Sequence, residues 1–388
     1  MNYFKITLLS LFSAALMPTT VQAQKNKEYR ETSPEFFASA EARRIGDQIL
    51  LWQRNTGGWP KNVDMCSPMS EDEKNEVQDD KNRTDDSTTD NGATTTQMTY
   101  LARLWQQTCD NRYRDAFRRG VEYLLSGQYD NGGWPQFWPK MRDYQIHITY
   151  NDNAMVNTMT LLRDIRDGRE PYQGLSDDEL NERLTKAFDK GIECILKTQI
   201  RVGETLTVWC QQHDRETFLP AAARAYELPS YCSAESASIV RLLMELPNPD
   251  ERVVKAVDGA IAWFEQHKIT GYRLERIGQK GKPGADTRLV ADPNAEPLWA
   301  RYYDLEKAEP FVCDRDGVPR KSLQEIGPER RNGYSWYNNK PASVIKKYAK
   351  WKKKLEKQQK SSLNIWLVPK ICVPLHPHSA ITVGCSRI

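Results

Sequence analysis

The chain has 388 residues, enough for one large domain or two ordinary ones with a sizeable core. Its 55 Lys and Arg nearly balance 52 Asp and Glu, and a net charge of +3 excludes a chain-wide field aimed at nucleic acid or a membrane. The 11 Trp and 17 Tyr are more informative, because aromatic faces either pack helices or line sugar sites in exported proteins.

Residues 1–23 read as a secretory signal. Lys5 supplies the positive start, Ile6 to Met17 the apolar stretch, and Val21-Gln22-Ala23 the small residues for cleavage. The apolar stretch is too short to span a bilayer comfortably, and no later segment is apolar enough. The mature chain is therefore expected to be secreted or periplasmic, monomeric, and without a nucleic-acid or membrane partner. The eight Cys show no CxxC and no Cys/His spacing suited to zinc, so no disulfide pairing follows from them.

Ser33-Pro34-Glu35 has the chemistry of a helix cap and first turn. Ala40 to Trp52 has helical apolar spacing at Ala42, Ile45, Ile49 and Leu50. It ends in Gln53-Arg54-Asn55-Thr56-Gly57-Gly58-Trp59-Pro60-Lys61. Ser67 to Thr89 is almost wholly polar and predicts a long loop. Asp90-Asn91 then opens a helix from Thr94 to Gln107, with Met98, Leu101, Ala102 and Trp105 as its buried stripe.

The pattern repeats after 75 residues, the step from Gln53 to Gln128. A helix over Tyr113 to Leu125 leads to Gln128-Tyr129-Asp130-Asn131-Gly132-Gly133-Trp134-Pro135-Gln136, and Asp152-Asn153 opens a helix from Ala154 to Ile165. A third unit runs from near Leu184 to Gln199, has lost its Gly-Gly turn, and restarts as a helix near Ser233-Ala234-Glu235. A fourth has a helix over Val253 to Gln266, a turn at Thr270-Gly271-Tyr272, and a helix opened by Asp292 to Glu296 that runs through Trp299 and Tyr303. Repetition on this scale predicts an all-α chain, a stacked or closed array of helical hairpins. Asp314 to Gly317 is a turn, and Asn332 to Tyr337 a polar-aromatic loop. A last, basic helix covers Ala342 to Gln358. Residues 24–360 make the main domain, and 361–388 an irregular tail to which no role attaches.

Acidic residues thus mark four helix starts: Asp90, Asp152, Glu235 and Glu296. Capping explains such positions without any function. If the hairpins close on one cleft, Asp90 and Asp152 with Asn91 or Asn153 instead offer the hard oxygens that Ca²⁺ takes. They would also serve as the acid and base of a glycosidase, and spacing does not decide between the two. Lys61, Arg224, Arg301 and Arg315 are the counterweight: they either grip carboxylates of a polyanion or tie down loops.

The two Gly-Gly-Trp-Pro segments, Thr89-Asp90-Asn91-Gly92-Ala93-Thr94, Tyr150-Asn151-Asp152-Asn153-Ala154-Met155, Trp209-Cys210-Gln211-Gln212-His213-Asp214, Arg224-Ala225-Tyr226-Glu227 and Arg315-Asp316-Gly317 occur in that order. As a set they resemble pectate lyases of polysaccharide lyase family 10, roughly from Pro34 to Tyr348. The resemblance implies an (α/α) toroid short of a full six-hairpin ring. It also implies Ca²⁺-dependent cleavage of polygalacturonate by anti β-elimination, giving 4,5-unsaturated oligogalacturonates. By position, Asp90 and Asp152 would hold the metal, with Asn91 beside them at the substrate. Arg224 would be the base at C5, and Lys61, Arg301 and Arg315 would hold substrate carboxylates. Cationic neighbours would depress the Arg224 pKa and place the optimum at alkaline pH. A glycoside hydrolase and a non-catalytic binder of acidic polysaccharide are the competing readings. A terpenoid-cyclase-like toroid is a third, opposed by the export signal and the lack of an Asp-Asp-x-x-Asp motif.

Overall fold

A computed structural model describes residues 26–279 and 282–366. The expected signal at 1–23 and residues 367–388 of the expected tail lie outside them. Eleven α-helices occur among the described residues: α1 (Pro34–Ala38), α2 (Ala40–Trp52), α3 (Glu71–Asp79), α4 (Thr95–Thr108), α5 (Asn111–Ser126), α6 (Ala154–Arg166), α7 (Asp178–Thr198), α8 (Ser233–Met244), α9 (Glu251–Gln266), α10 (Pro328–Gly333) and α11 (Lys340–Trp366). The chain divides into two compact units between Val344 and Ile345, and the described part of the second is the remainder of α11.

Within the first unit the helices form two rows. α4, α6 and α8 lie side by side, while α2 packs on α5 and α7 on α9. The first row is buried nearly all round: Ser233 through Val240 of α8 are buried without a break. A helix apolar on one stripe only would not tolerate that position. The second row is amphipathic, as in α5, which buries Tyr113, Ala116, Phe117, Gly120, Val121, Tyr123 and Leu124. Second-row helices are closed at their starts by side chains. Ser39 accepts from Ala42 N, Asp110 from Arg112 N, Asp177 from Leu180 N and Asp250 from Val253 N. α4, α6 and α8 have no side-chain cap. Backbone carbonyls take their first amides at α4 and α8 instead: Thr95 N donates to Ala93 O at 2.7 Å and Ser233 N to Arg301 O at 3.1 Å.

The repeated Gln and Trp are the stitches of this frame. Gln53 Nε2 donates to Gly57 O and to Ala116 O on α5, both at 2.8 Å. Gln128 Nε2 does the same to Gly132 O and Ala187 O, and Gln199 Nε2 to Thr207 O and Ala256 O. Each glutamine therefore ties its own turn to the next second-row helix. The indoles of Trp59, Trp134, Trp209 and Trp299 donate to Ile49, Leu124, Ile195 and Phe264 carbonyls at 2.7–2.8 Å. Only glycine fits the turns. Gly57 has φ +94° and Gly132 φ +92°, and a Cβ at Gly132 would stand 2.0 Å from Lys190 O. The third unit lost its glycines to a short hairpin, Arg201–Val202 with Thr205–Leu206, yet kept both stitches.

Three expectations are corrected. Ser67 to Thr89 is not all loop: Ser70 and Glu73 form a capping box that starts α3. α3 buries only Val77, so it has no apolar stripe to read. The fourth acidic helix does not exist. Glu296 is exposed, and Trp299–Ala300 and Tyr302–Tyr303 are strands. Mostly helical replaces all-α: strands 231–232, 302–303, 310–313 and 319–320 form a four-stranded sheet, and Tyr272–Ile277 pairs with Asp286–Ala291 in a hairpin.

Candidate active site

The acids at the first-row starts do not cap. Asp90 sits in a 3-10 turn, Asp90–Gly92, whose Asn91 has φ +53°, and Asp152 has φ +49° in the turn Asn151–Asn153. Non-glycine residues in this region cost energy and persist only where the surroundings impose the conformation. Here Thr94, itself at φ +63°, accepts from Trp59 N and donates to Thr88 O, which binds the Asp90 turn to the Gly-Gly-Trp turn. Capping is thereby set aside for Asp90 and Asp152. Glu235 lies in the first turn of α8 and is fully occupied elsewhere.

The Asp90 and Asp152 turns pack on each other, and the Asp152 turn packs on α8. Asp90 is buried; its Oδ2 pairs with Lys61 Nζ, which also lies 5.2 Å from the Phe137 ring centre. Asn91 is beside it, donating to Asn62 Oδ1 at 3.3 Å. Asp152 is half-buried, 3.8 Å from Arg301 Nη2. Burial raises its pKa, and the carboxylates of Asp90, Glu235 and Glu227 add to this against the pull of Arg301. Arg301 is buried between Glu235 Oε1 at 2.6 Å and Asn151 Oδ1 at 2.7 Å, with its guanidinium 4.6 Å from the Tyr334 ring centre. Burial opposes its charge, but Glu235, Tyr302, Tyr334 and Cys232 together outweigh burial and the pKa is raised.

Arg224 is exposed and forks onto buried Glu227, Nε to Oε2 at 2.7 Å and Nη2 to Oε1. Its guanidinium lies 4.8 Å from the Tyr226 ring centre. The same ring carries Arg330 at 4.5 Å and Arg315 at 6.0 Å. Arg315 is exposed on its turn and shares Glu329 with Arg330. Burial works against the Arg224 charge, yet the bonds to Glu227 prevail and its pKa is raised. The free protein thus shows the opposite of the depression expected from cationic neighbours.

Lys61, Asp90, Asn91, Asp152 and Arg301 therefore form one bank, and Arg224 with Arg315 a second. The Tyr334 ring lies beside both, 4.6 Å from the Arg301 guanidinium and 6.0 Å from that of Arg224. Tyr144 is within electrostatic reach of both: burial raises its pKa, Arg224 lowers it, and Glu227 and Asp90 raise it. Tyr144, Glu227, Tyr334, Tyr302 and Arg330 are the functional candidates that sequence reasoning missed. Glu227 was visible in the Arg-Ala-Tyr-Glu segment, and Tyr334 in the polar-aromatic loop. Tyr144 gave no signal.

Among the described residues no group of three or more His, Cys, Asp or Glu is placed to hold a metal. Beside the two aspartates, Asp90 Oδ1, Asn153 Oδ1 and Thr89 Oγ1 are buried without hydrogen-bond partners, which is the donor chemistry a calcium ion would use. These are hard oxygens with unused lone pairs.

A helical frame that sets carboxylates against arginines suits an acidic polysaccharide, and comparison with known proteins gives the class, the polysaccharide lyases. The pectic acid lyase family model matches residues 53–345. A family 10 polysaccharide lyase from Cellvibrio cellulosa is 32% identical, with a TM-score of 0.71 over 84% of this chain and 94% of that one. A mutant family 10 polysaccharide lyase from the same organism, in complex with trigalacturonic acid, also matches at 32% identity and a TM-score of 0.71, over 86% of this chain and 97% of that one. No curated protein matches. The chain belongs to the pectic acid lyase family, family 10 of the polysaccharide lyases. That membership sets aside the glycosidase and cyclase readings.

Proposed function

We propose that the protein is a pectate lyase that cleaves α-1,4-linked polygalacturonate by anti β-elimination, on helical hairpins arranged as an incomplete (α/α) toroid. The observation that carries this is that the Asp90–Asp152 bank and the Arg224 bank meet on one ring, Tyr334, whose centre lies 4.6 Å from the Arg301 guanidinium and 6.0 Å from that of Arg224. The galacturonic trimer bound by the Cellvibrio relative supports the substrate class. The side-by-side first row, α4, α6 and α8, supports the toroid. Export is part of the same reading, on the signal-like residues 1–23.

The C5 hydrogen of a galacturonate lies next to a carboxylate, so its removal adds negative charge to that group. Asp90 and Asp152 would hold Ca²⁺, whose chemistry when bound is to neutralise this charge as a Lewis acid. Lys61, Arg301 and Arg315 hold substrate carboxylates and fix the sugar. Arg224 takes the C5 proton. The C5–H electrons form the C4–C5 double bond, the C4–O4 bond breaks, and the departing oxygen takes a proton from water. Arg224 must first lose its own proton, which Glu227 makes harder. Activity therefore rises with pH, by about tenfold per unit while the neutral form is scarce.

Incubation with polygalacturonate, followed by the ultraviolet absorbance of unsaturated uronate, tests the proposal. Absorbance should rise with the wild type at alkaline pH and fall by at least about a hundredfold in Arg224→Ala. Binding without unsaturated product would leave a sugar binder, and near-native rates in Arg224→Ala would remove Arg224 as base.

A further inference from the structure

Arg224 ends a hydrogen-bonded chain that starts in the core. Its Nε and Nη2 are both spent on Glu227. Glu227 is 1% exposed, and Oε2 also accepts from Arg224 N at 3.2 Å while Oε1 accepts from Tyr334 Oη at 2.8 Å. Tyr334 Oη lies 2.5 Å from Tyr302 Oη, and Tyr302 Oη meets the Gln211 side chain at Oε1. Gln211 O accepts from Tyr150 N at 2.8 Å and Asn151 N at 2.9 Å, so the same residue also holds the turn that carries Asp152.

The hydrogens can be counted. Gln211, Tyr302, Tyr334 and Glu227 make three contacts in series. If Tyr302 donates to Gln211 Oε1 and Tyr334 to Glu227, the two hydroxyls face each other with no hydrogen between them. Gln211 Nε2 is meanwhile buried with no partner. Turning the amide over gives every contact one hydrogen: Gln211 Nε2 donates to Tyr302, Tyr302 to Tyr334, and Tyr334 to Glu227. All three point toward Glu227, which accepts. Burial raises the pKa of both tyrosines, so both keep their hydrogens at alkaline pH.

We propose that Glu227, oriented by Tyr334, Tyr302 and Gln211, is the positioning residue of the reaction: it fixes the Arg224 plane so that Nη1 alone is left to meet the C5 hydrogen. The proposal rests on the pectate lyase reading above. A guanidinium free to rotate would present each nitrogen in turn, and most orientations would be unproductive. The fork removes that freedom before substrate arrives. The charged and titratable groups facing the pair are Tyr226, Tyr334 and Tyr144, the Arg330 guanidinium, and Asp152.

Two variants and two readouts test this. Tyr334→Phe keeps the ring that Arg301 packs on and removes one hydroxyl; Glu227→Gln keeps the shape and breaks the fork. On polygalacturonate, kcat should fall about tenfold in Tyr334→Phe and about a hundredfold in Glu227→Gln, with KM within about twofold in both. An unchanged kcat, or a rise in KM alone, in folded Tyr334→Phe would overturn the proposal. The second readout needs no turnover. Solvent exchange of the Arg224 Nε–H, followed by nitrogen-15 NMR and assigned by its loss in Arg224→Lys, should be slower than that of free arginine and at least about tenfold faster in Glu227→Gln than in the wild type. Rapid exchange in the wild type would refute the fork, whether or not the protein cleaves pectate. Slow exchange in a protein without lyase activity would instead refute the pectate lyase reading and leave the fork standing.

Discussion

Arg301 Nη2 donates to Glu235 Oε1 at 2.6 Å, across 66 positions of sequence, and both side chains are buried. The other Glu235 oxygen meets Cys232 Sγ at 2.6 Å. Burial raises the Glu235 pKa, but Arg301, with Lys340 and the Cys232 bond, overcomes this and leaves it lowered. Arg301→Ala strips the carboxylate of its charge partner in a dry place. The expected cost is about 3–5 kcal/mol of folding stability in urea unfolding. A small loss there, with a large rise in KM, would make Arg301 a substrate group only.

His213 predicts the acid limit. It is fully buried; Nε2 accepts from Cys210 N at 3.0 Å and Nδ1 faces Phe218 O at 2.9 Å. A second proton would have to point at an N–H. Burial lowers the pKa to about 4 against the ordinary 6.5. The unfolded chain therefore takes up the proton first as pH falls. Stability from this residue is complete above pH 6.5 and is lost progressively down to pH 4, by up to ~3 kcal/mol. Thermal melts across that window, with the His213 resonance followed by NMR, check both sign and range.

Gln199→Ala removes the donor shared by Thr207 O and Ala256 O. Two interior carbonyls lose their partner, for an expected loss of about 1–3 kcal/mol in urea unfolding. Gly132→Ala should be worse, because a Cβ 2.0 Å from Lys190 O forces backbone apart and φ +92° disfavours any side chain.

Chelation should abolish most turnover, and added Ca²⁺ should restore it. A binding readout independent of turnover is the melting temperature, which should rise with Ca²⁺ and stop rising in Asp152→Asn. A Ca²⁺-insensitive melting temperature together with full activity in chelator would remove the ion from this site.

Tyr144 is half-buried and within electrostatic reach of Arg224, Glu227 and Asp90. Tyr144→Phe deletes only a hydroxyl. If that group bonds the sugar, kcat/KM on polygalacturonate falls about tenfold. An unchanged value would leave the ring as packing.

The sequence carried the frame better than the rim. Gln53, Gln128, Trp59 and Trp134 repeat because each unit makes the same hydrogen bonds, from a glutamine amide and an indole to backbone carbonyls, and repetition of a bond is visible as repetition of letters. Helical spacing located α2, α4, α5, α6, α8 and α9 to within a few residues. The sheet escaped because two-residue strands such as Tyr302–Tyr303 have no measurable period. Asp90 and Asp152 were legible as a matched pair of Asp-Asn steps, although their left-handed turns were not. The fork on Arg224 was half legible. Glu227 is three residues away in a quoted motif, whereas Tyr334 reaches it from 107 positions along the chain.

The third unit traded its glycine turn for a hairpin without dropping a single stitch. Frame and turn are thus separately adjustable, like a loom whose warp stays strung while the pattern changes. The hairpin lies against α9, so the segment between a glutamine and its tryptophan can change length while the bonds at its two ends hold the helices in place. Swapping residues 200–208 for the shorter Gly-Gly form should leave folding intact, with an unchanged circular dichroism spectrum.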